Sequence, residues 1–366
     1  MSQTAVVLVT LAVLTVALVS AAAGIRLWRR RRVVVSLLSR IRDRVHYAFV
    51  INPSKPQAEE RRRHIEEFCR SRHIRDVEFI ETRLDKDGGA CAGEALEHGA
   101  DVVIAVGGDG TVRTVASTMS GTGHAMGVIP IGTGNLLARN LGIPLDDIDA
   151  ALTVATSHGS RMVDVGRMAL LDSDDPHPHA FLIVAGIGFD ALMIDDTDPR
   201  LKKNISWLAY FIGGVKNLFA PKYHGSVTIT DVEGRDHTRE DLTFRTFMAG
   251  NCGQIPVFSL MPEASFDDGL LDFEVIDTSG GLIGWASLFG DVVHQTITGK
   301  AQQSPLSTNS TIEQVQGVSA RILLEKPALA QVDGDMLGET RCIGFSVERR
   351  ALCVRVPETD GAQRRR

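Results

Sequence analysis

The chain is short of paired cysteines. Its five, Cys69, Cys91, Cys252, Cys342 and Cys353, are odd in number and none shows the spacing of a metal site. Reduced thiols are the simplest account, and a zinc-ribbon or disulfide-stapled framework is excluded. The eleven histidines are scattered, and no His-Glu-x-x-His occurs, which removes the helical zinc-hydrolase class. No glycine loop ends in Lys-Ser or Lys-Thr, so a Walker-type nucleotide site is excluded as well. There is no internal repeat. Basic charge is not in surplus either: the net charge is −6, and no broad basic face survives outside the amino-terminal segment, so nucleic acid is not an expected partner. What remains, 366 residues with 44% hydrophobic and 23% charged, is enough for two compact domains.

The amino end lacks charge. From Ser2 to Ile25 there is no ionisable side chain, and Ala5 to Ile25 is an almost continuous run of Ala, Val, Leu and Ile. Such a run is long enough for a bilayer core of about 30 Å, and the expectation is one transmembrane helix over residues 4–28. Arg26, Trp28 and Arg29 to Arg32 follow it. The positive-inside rule then makes the chain a single-pass cell-membrane protein with its remainder cytoplasmic. A cleavable signal peptide would carry its basic residues before the apolar run, not after it. Residues 29–44 form a basic juxtamembrane segment, and Val34, Leu37, Leu38, Ile41 and Val45 recur at helical spacing among Arg40, Arg42 and Arg44. Two readings stay open for it: a helix lying on an anionic leaflet, or a connecting helix packed on the domain behind.

Chemistry gathers in polar loops that follow apolar runs. Val102 to Val106 reads as a buried strand that enters Gly107-Gly108-Asp109-Gly110-Thr111 and then a helix beginning Val112-Arg113. Three glycines in five residues let the backbone turn sharply and bring its N–H groups close to phosphate oxygens at a helix N-terminus. A second unit repeats the plan: Met126 to Ile131 as strand, Gly132-Thr133-Gly134-Asn135 as loop, Leu136 to Leu141 as helix ended by Gly142 and Pro144. Upstream, Tyr47 to Ile51 ends in Asn52-Pro53-Ser54-Lys55-Pro56, and Val77 to Ile80 ends at Glu81-Thr82. In a parallel α/β sheet those loops leave the carboxyl ends of the strands and converge on one crevice, where a nucleotide would lie.

Asn52-Pro53, the Gly-Gly-Asp-Gly-Thr of Gly107 to Thr111, and Ile129-Pro-Ile-Gly-Thr-Gly-Asn135 with Ala138-Arg139 after it resemble the catalytic domain of the diacylglycerol kinase and sphingosine kinase family of lipid kinases. The first glycine loop is shared with the NAD kinases of the same superfamily; the second follows the lipid-kinase pattern. The resemblance implies ATP contacts from Asn52, Pro53, Ser54, Lys55, Pro56, Thr82, Gly107, Gly108, Asp109, Gly110, Thr111, Val112, Arg113, Gly132, Thr133 and Asn135. Ala185 to Ala191, Asn251-Cys252 and Met261-Pro262 also look like family signatures. The turn at Ser265 to Leu270 resembles one that holds a magnesium ion through backbone carbonyls and a single Asp, which implies Ser265, Asp268 and Leu270 as the metal site. A turn rich in carbonyls with one or two carboxylates suits a hard, partly hydrated cation.

Val332-Asp333-Gly334-Asp335 resembles the family's catalytic Asp-Gly-Glu, with Asp in place of the final Glu. A lipid hydroxyl loses its proton only as attack proceeds, so a positioned carboxylate is required. Asp335 matches the proton acceptor by position, Asp333 is the second candidate, and Asp109 completes the catalytic set. After Asn251, where relatives usually carry adjacent glycines, this chain has Gly253-Gln254-Ile255-Pro256-Val257-Phe258. That change bears on acceptor choice.

The pattern shifts near Ala155 to Arg161: strands and helices alternate before it, and short strand-like runs, among them Phe181 to Val184 and Phe244 to Met248, follow it. The expected fold class is an α/β nucleotide-binding domain over residues 45–158, then a mostly β sandwich domain over 159–356 for the lipid. The carboxyl-terminal part of the second domain is allowed to return to the first. Two helical interruptions, Lys203 to Leu218 and Leu282 to Ile297, stand in the second half. The function these readings imply is ATP- and magnesium-dependent phosphorylation of a membrane lipid hydroxyl, foremost diacylglycerol to phosphatidic acid, by an enzyme held at the membrane through its amino-terminal helix. A kinase for a sphingoid base, ceramide or phosphatidylglycerol, and a non-catalytic nucleotide or lipid sensor, are the alternatives; a homodimer is an open expectation.

Overall fold

The computed structural model describes residues 45–54, 58–174, 176–188, 222–252, 261, 264–277 and 311–358. Four parallel strands, β1 (Tyr47–Ile51), β2 (Val77–Glu81), β3 (Val102–Gly107) and β4 (Ala125–Pro130), carry the amino-terminal half in the order β4-β3-β1-β2. All residues of β1, β3 and β4 are buried, which is why these strands read as unbroken apolar runs: helices cover both faces of a parallel sheet. Those helices are α1 (Ala58–Ser71), α2 (Gly88–Glu97), α3 (Asp109–Met119), α4 (Leu136–Asn140) and α5 (Ile148–Ala155). Asp87 caps α2 by accepting from Ala90 N at 2.9 Å, and Asp147 caps α5 by accepting from Ala150 N at 3.0 Å. The N-cap of α3 is Gly108, with no side-chain cap, so the first turn of that helix faces the crevice with its amides uncovered.

Beyond α5 the described chain is β: β5 (Ser160–Leu170), β6 (His179–Phe181), β7 (Val184–Gly188), β8 (Tyr223–Thr230), β9 (Asp236–Phe244), β10 (Thr246–Gly250), β11 (Leu271–Asp277), β12 (Thr311–Gly317), β13 (Ser319–Val332) and β14 (Asp335–Arg355). The two halves are not separate sheets. Val354 and Cys353 of β14 pair in parallel with Met126 and Ala125 of β4, while the rest of β14 pairs with β13 and β5. One hydrogen-bonded sheet of 14 strands results. Two cores flank it. Phe49, Ile104, Val115 and Leu152 belong to the first, and Phe244, Phe247, Phe273 and Phe345 to the second. β5 runs through both, giving Val163 and Val165 to the first and Met168 to the second.

Two sequence expectations change in detail. The run Phe181 to Val184 is broken by bends at Leu182 and Ile183, because the amides of Leu182, Ile183 and Val184 turn onto the Asp333 carboxylate. The run Phe244 to Met248 splits at Arg245, where the chain leaves its pairing with β8 for β7 and β11.

The single-pass membrane placement is corrected. Among the described residues no helix is long and apolar enough to cross a membrane; α1 has 14 residues and carries Glu59, Glu60, Arg61, Arg62 and Arg63, against the roughly 20 apolar residues a span requires. The segment on which that expectation rested, residues 4–28 with the juxtamembrane 29–44, lies outside the described residues, as do Lys203 to Leu218, Leu282 to Ile297 and Gln254 to Phe258.

Candidate active site

Three loops leave the carboxyl ends of β1, β3 and β4 side by side and are laced together by side chains. Asn52 Nδ2 donates to Thr111 Oγ1 at 3.3 Å, and the Ser54 amide and hydroxyl donate to Asn52 Oδ1 at 3.0 and 2.6 Å. Pro53 sits in the same turn; Lys55 and Pro56 lie outside the described residues. The Thr82 amide donates to Ile51 O at 2.9 Å, which holds the end of β2 to this edge.

Asp109 joins the two glycine loops. Its carboxylate accepts from the amides of Asn135 at 2.9 Å and Leu136 at 2.7 Å, so it caps α4 from another loop. Asn135, at φ 49°, clasps its own loop: Gly132 N donates to its Oδ1 at 3.0 Å and its Nδ2 donates to Gly132 O at 2.8 Å. A Cβ at Gly132 would stand 2.7 Å from the Cα of Gly108. Only glycine therefore allows the two loops to approach this closely. Thr133 is exposed at the loop tip, Thr111 is buried beneath the first loop, and Gly107 is buried against the Thr111 side chain. Val112 packs into the core, and its amide donates to Gly108 O at 3.0 Å.

Cations stand near these loops. The Arg113 side chain is largely buried, and its Nε finds no hydrogen-bond partner among the described residues. Arg61 Nε is likewise buried without a partner there. Arg61 lines a cavity of about 420 Å³ together with Gly132, Thr133, Asn135 and Arg139. That volume falls in the range of small-molecule sites. Hollows of similar size beside His124 and beside His73 contain none of the glycine loops.

The β13–β14 hairpin brings the acids to this edge. Asp335 pairs with Arg113, and its Oδ2 lies 3.6 Å from where a Cβ on Gly110 would be. Asp333, at φ 46°, is held differently. Its Oδ2 accepts from Leu182 N at 2.7 Å and its Oδ1 from Ile183 N and Val184 N, both at 3.0 Å. Burial pushes its acid up to about 6 against the opposing pull of those amides and of Arg113. Gly334 N donates to Gln331 Oε1 at 2.9 Å, which fixes the turn between the two acids.

The turn at Ser265 to Leu270 hangs on Asp164. This fully buried carboxylate accepts from Gly269 N at 2.7 Å and Arg350 N at 2.6 Å, and the Asp164 amide donates to Phe266 O at 2.7 Å. Ser265 Oγ donates to Asp267, itself paired with Arg161, and Leu270 N donates to Asp268 Oδ1 at 2.9 Å. Arg349 Nε uses the Gly269 carbonyl at 3.1 Å. A cation here would therefore draw on Asp268 with the carbonyls of Ser265 and Leu270. The Asp268 acid is pushed up, first by burial of its carboxyl and then by Asp272 and Asp164, an excess of negative charge that a bound cation would offset. Among the described residues no group of three or more His, Cys, Asp or Glu is placed to hold a metal.

Two braces hold the site, one unnoticed in the sequence and one seen there only as part of a family-like signature. Asp164 is one. The other role belongs to Asn251, whose Nδ2 donates to Asp164 O at 2.9 Å and Leu182 O at 3.1 Å, tying the cation turn to the bend that grips Asp333. The only sequence signal for Asp164 is an acid inside an apolar strand run.

A family model for the diacylglycerol kinase catalytic domain matches residues 46–168. The chain is 30% identical over 261 residues to the probable lipid kinase YegS-like of Xanthomonas euvesicatoria, covering 69% of this chain and 77% of the relative. Identity is 29% over 196 residues with the diacylglycerol kinase of Bacillus subtilis, covering 51% and 60%, and 31% over 249 residues with an uncharacterised protein of Synechocystis, covering 66% and 52%. The chain thus spans between half and three fifths of the length of these last two relatives. Its fold is similar to the crystal structure of a diacylglycerol kinase from Bacillus anthracis, with a TM-score of 0.62 at 20% identity over 86% of this chain and 97% of that one. The chain belongs to the diacylglycerol kinase catalytic domain family of lipid kinases.

Proposed function

We propose that the protein transfers the γ-phosphoryl group of ATP to the hydroxyl of a lipid, with diacylglycerol as acceptor and phosphatidic acid as product. The observation that carries this reading is the placement of Asp335 against the phosphate-type loop, beside Gly110 and paired with Arg113. A nucleotide-binding module needs the loops but not an acid presented to them from the second half of the chain.

The residues divide the work. Amides at the start of α3 and the loops at Asn52 and Gly132 receive the triphosphate. Arg113 exchanges Asp335 for phosphate oxygens when ATP enters, which frees the Asp335 carboxylate to take the proton of the attacking hydroxyl. Both oxygens of Asp333 are occupied by backbone amides, so its part is to hold the hairpin while Asp335 acts as base. Asp268 with the carbonyls of Ser265 and Leu270 would hold a magnesium ion, which would supply positive charge to offset the polyphosphate.

The test is transfer of label from ATP, with magnesium, to diacylglycerol, ceramide, sphingosine and phosphatidylglycerol in mixed micelles. Label in phosphatidic acid, absent with Asp109→Ala, supports the reading. Label on another lipid alone moves the acceptor, and nucleotide binding with no label on any lipid removes the kinase.

A further inference from the structure

The helices of the amino-terminal half lie on two sides of the parallel sheet. His64 of α1 meets Asp149 of α5 at 2.7 Å, and Thr118 Oγ1 of α3 donates to Gly89 O of α2 at 3.1 Å. Right-handed crossovers in the strand order β4-β3-β1-β2 put α1 on one face and α2 with α3 on the other. Arg113 of α3, with its partner Asp335, therefore stands at one face of the carboxyl edge, and Arg61 of α1 stands at the opposite face. Between them the two glycine loops meet, Gly132 against Gly108.

The cavity of about 420 Å³ beside Arg61 runs from Gly132 and Thr133 to a wall of Pro144, Leu145 and Ile148. Its charges balance. Arg61 and Arg139 line it together with Asp146 and Asp147, so it holds no excess of positive charge to collect a polyphosphate. Asp147 is spent in capping α5, and Arg139 Nε donates to Gly134 O at 2.8 Å. Arg61 Nε has no such engagement: it is buried with no hydrogen-bond partner among the described residues. A buried donor without an acceptor costs free energy that a ligand acceptor removes. Apolar walls with a few donors and acceptors suit a heterocyclic base and its sugar.

The inference rests on the kinase reading, which sets the γ-phosphate at Arg113 and Asp335; from there the donor nucleotide crosses the sheet edge over the glycine loops. We infer that its nucleoside end enters the cavity on the opposite face, where Arg61 is a specificity-determining residue that donates to an acceptor on the sugar or base. The transferred phosphate and the nucleoside are thus read on opposite faces of one sheet.

The test titrates ATP and inorganic tripolyphosphate, each with magnesium, into wild type and Arg61→Ala by calorimetry. Wild type is expected to bind ATP at least about tenfold more tightly than tripolyphosphate, and Arg61→Ala to lose about tenfold for ATP with tripolyphosphate unchanged. Unchanged tripolyphosphate binding also shows that the variant is folded. In wild type, ATP should slow amide hydrogen exchange across residues 144–151 while tripolyphosphate does not, a readout that needs no variant. Equal affinity of wild type for the two ligands overturns the inference, as does equal protection of 144–151 by both. So does an Arg61→Ala protein that melts like wild type and either keeps its ATP affinity or loses both ligands equally. A protein that binds ATP in this way and labels no lipid loses the kinase reading and keeps the nucleoside site; one that binds no ATP loses both.

Discussion

Arg113 and Asp335 form an ion pair across the candidate active site, linking the first turn of α3 to the β13–β14 hairpin over a separation of 222 residues. The pair is asymmetric: the Arg113 side chain is 12% exposed and that of Asp335 56%. Asp335, the proposed base, is reachable, and the guanidinium that restrains it sits deeper, beside the loop proposed to receive phosphate. Arg113→Ala is expected to weaken ATP binding about tenfold, the scale of one lost charge-assisted contact. Calorimetric titration with ATP measures this, and an unchanged affinity would show that Arg113 serves only Asp335.

Asp109→Ala leaves the amides of Asn135 and Leu136 without their acceptor. Loss of those two bonds to an ionised acceptor is expected to cost about 3 kcal/mol of stability along with nucleotide binding. Urea unfolding checks the first part. A variant as stable as wild type would mean that the carboxylate acts on the ligand and not as the clamp between loops.

Glycines in the two halves of the plan are not equivalent. Gly132→Ala would drive a methyl group to 2.7 Å from the Gly108 backbone, whereas a Cβ on Gly93, inside α2, meets nothing within 4 Å. Gly132→Ala should abolish ATP-dependent thermal stabilisation. Gly93→Ala should raise stability by about 0.5–1 kcal/mol. Equal behaviour of the two would contradict the close packing of the loops.

Burial raises the Glu274 acid from 4.5 to about 8 and the Asp333 acid from 3.8 to about 6. A raised folded pKa means the native state binds the proton more tightly. The stability contributed is complete below the ordinary carboxylate range and is lost as pH rises through about 6 for Asp333 and about 8 for Glu274. Unfolding free energy should therefore fall between about pH 5 and 8, by on the order of 3 kcal/mol from Glu274. Glu274→Gln should flatten that slope. A slope unchanged in the variant would place the titration elsewhere.

The glycine loops and the parallel strands before them were legible because both faces of β1, β3 and β4 are buried, which writes them as apolar runs closed by turn residues. The resemblance placed Asp333 and Asp335 in one motif but could not separate them. Their difference depends on the amides of Leu182 to Val184, more than a hundred residues earlier, which the chain brings up by bending a run that reads as plain strand. Continuity of the sheet was hidden too. β14 alternates irregularly, with Arg349 and Arg350 in its midst, so nothing local reveals that its far end returns to β4. Asp164 and Glu274 each look like an incidental polar residue within a strand, and Asn251 was legible only as part of a signature-like Asn-Cys pair. Only the packed structure shows that Asp164 accepts from two amides and Asn251 donates to two carbonyls, while Asn251 Oδ1 and Glu274 Oε2 find no partner among the described residues. The apolar amino-terminal run, a second strong signal in the sequence, lies outside the described residues.

Measuring kcat for lipid phosphorylation and Kd for ATP side by side in wild type and Asp335→Asn bears most directly on the central claim. If Asp335 is the base that the hairpin presents to the phosphate loop, kcat falls at least about a hundredfold while the ATP Kd stays within about threefold, since the substitution leaves the nucleotide loops in place. An Asp335→Asn enzyme that turns over lipid at the wild-type rate would contradict the account.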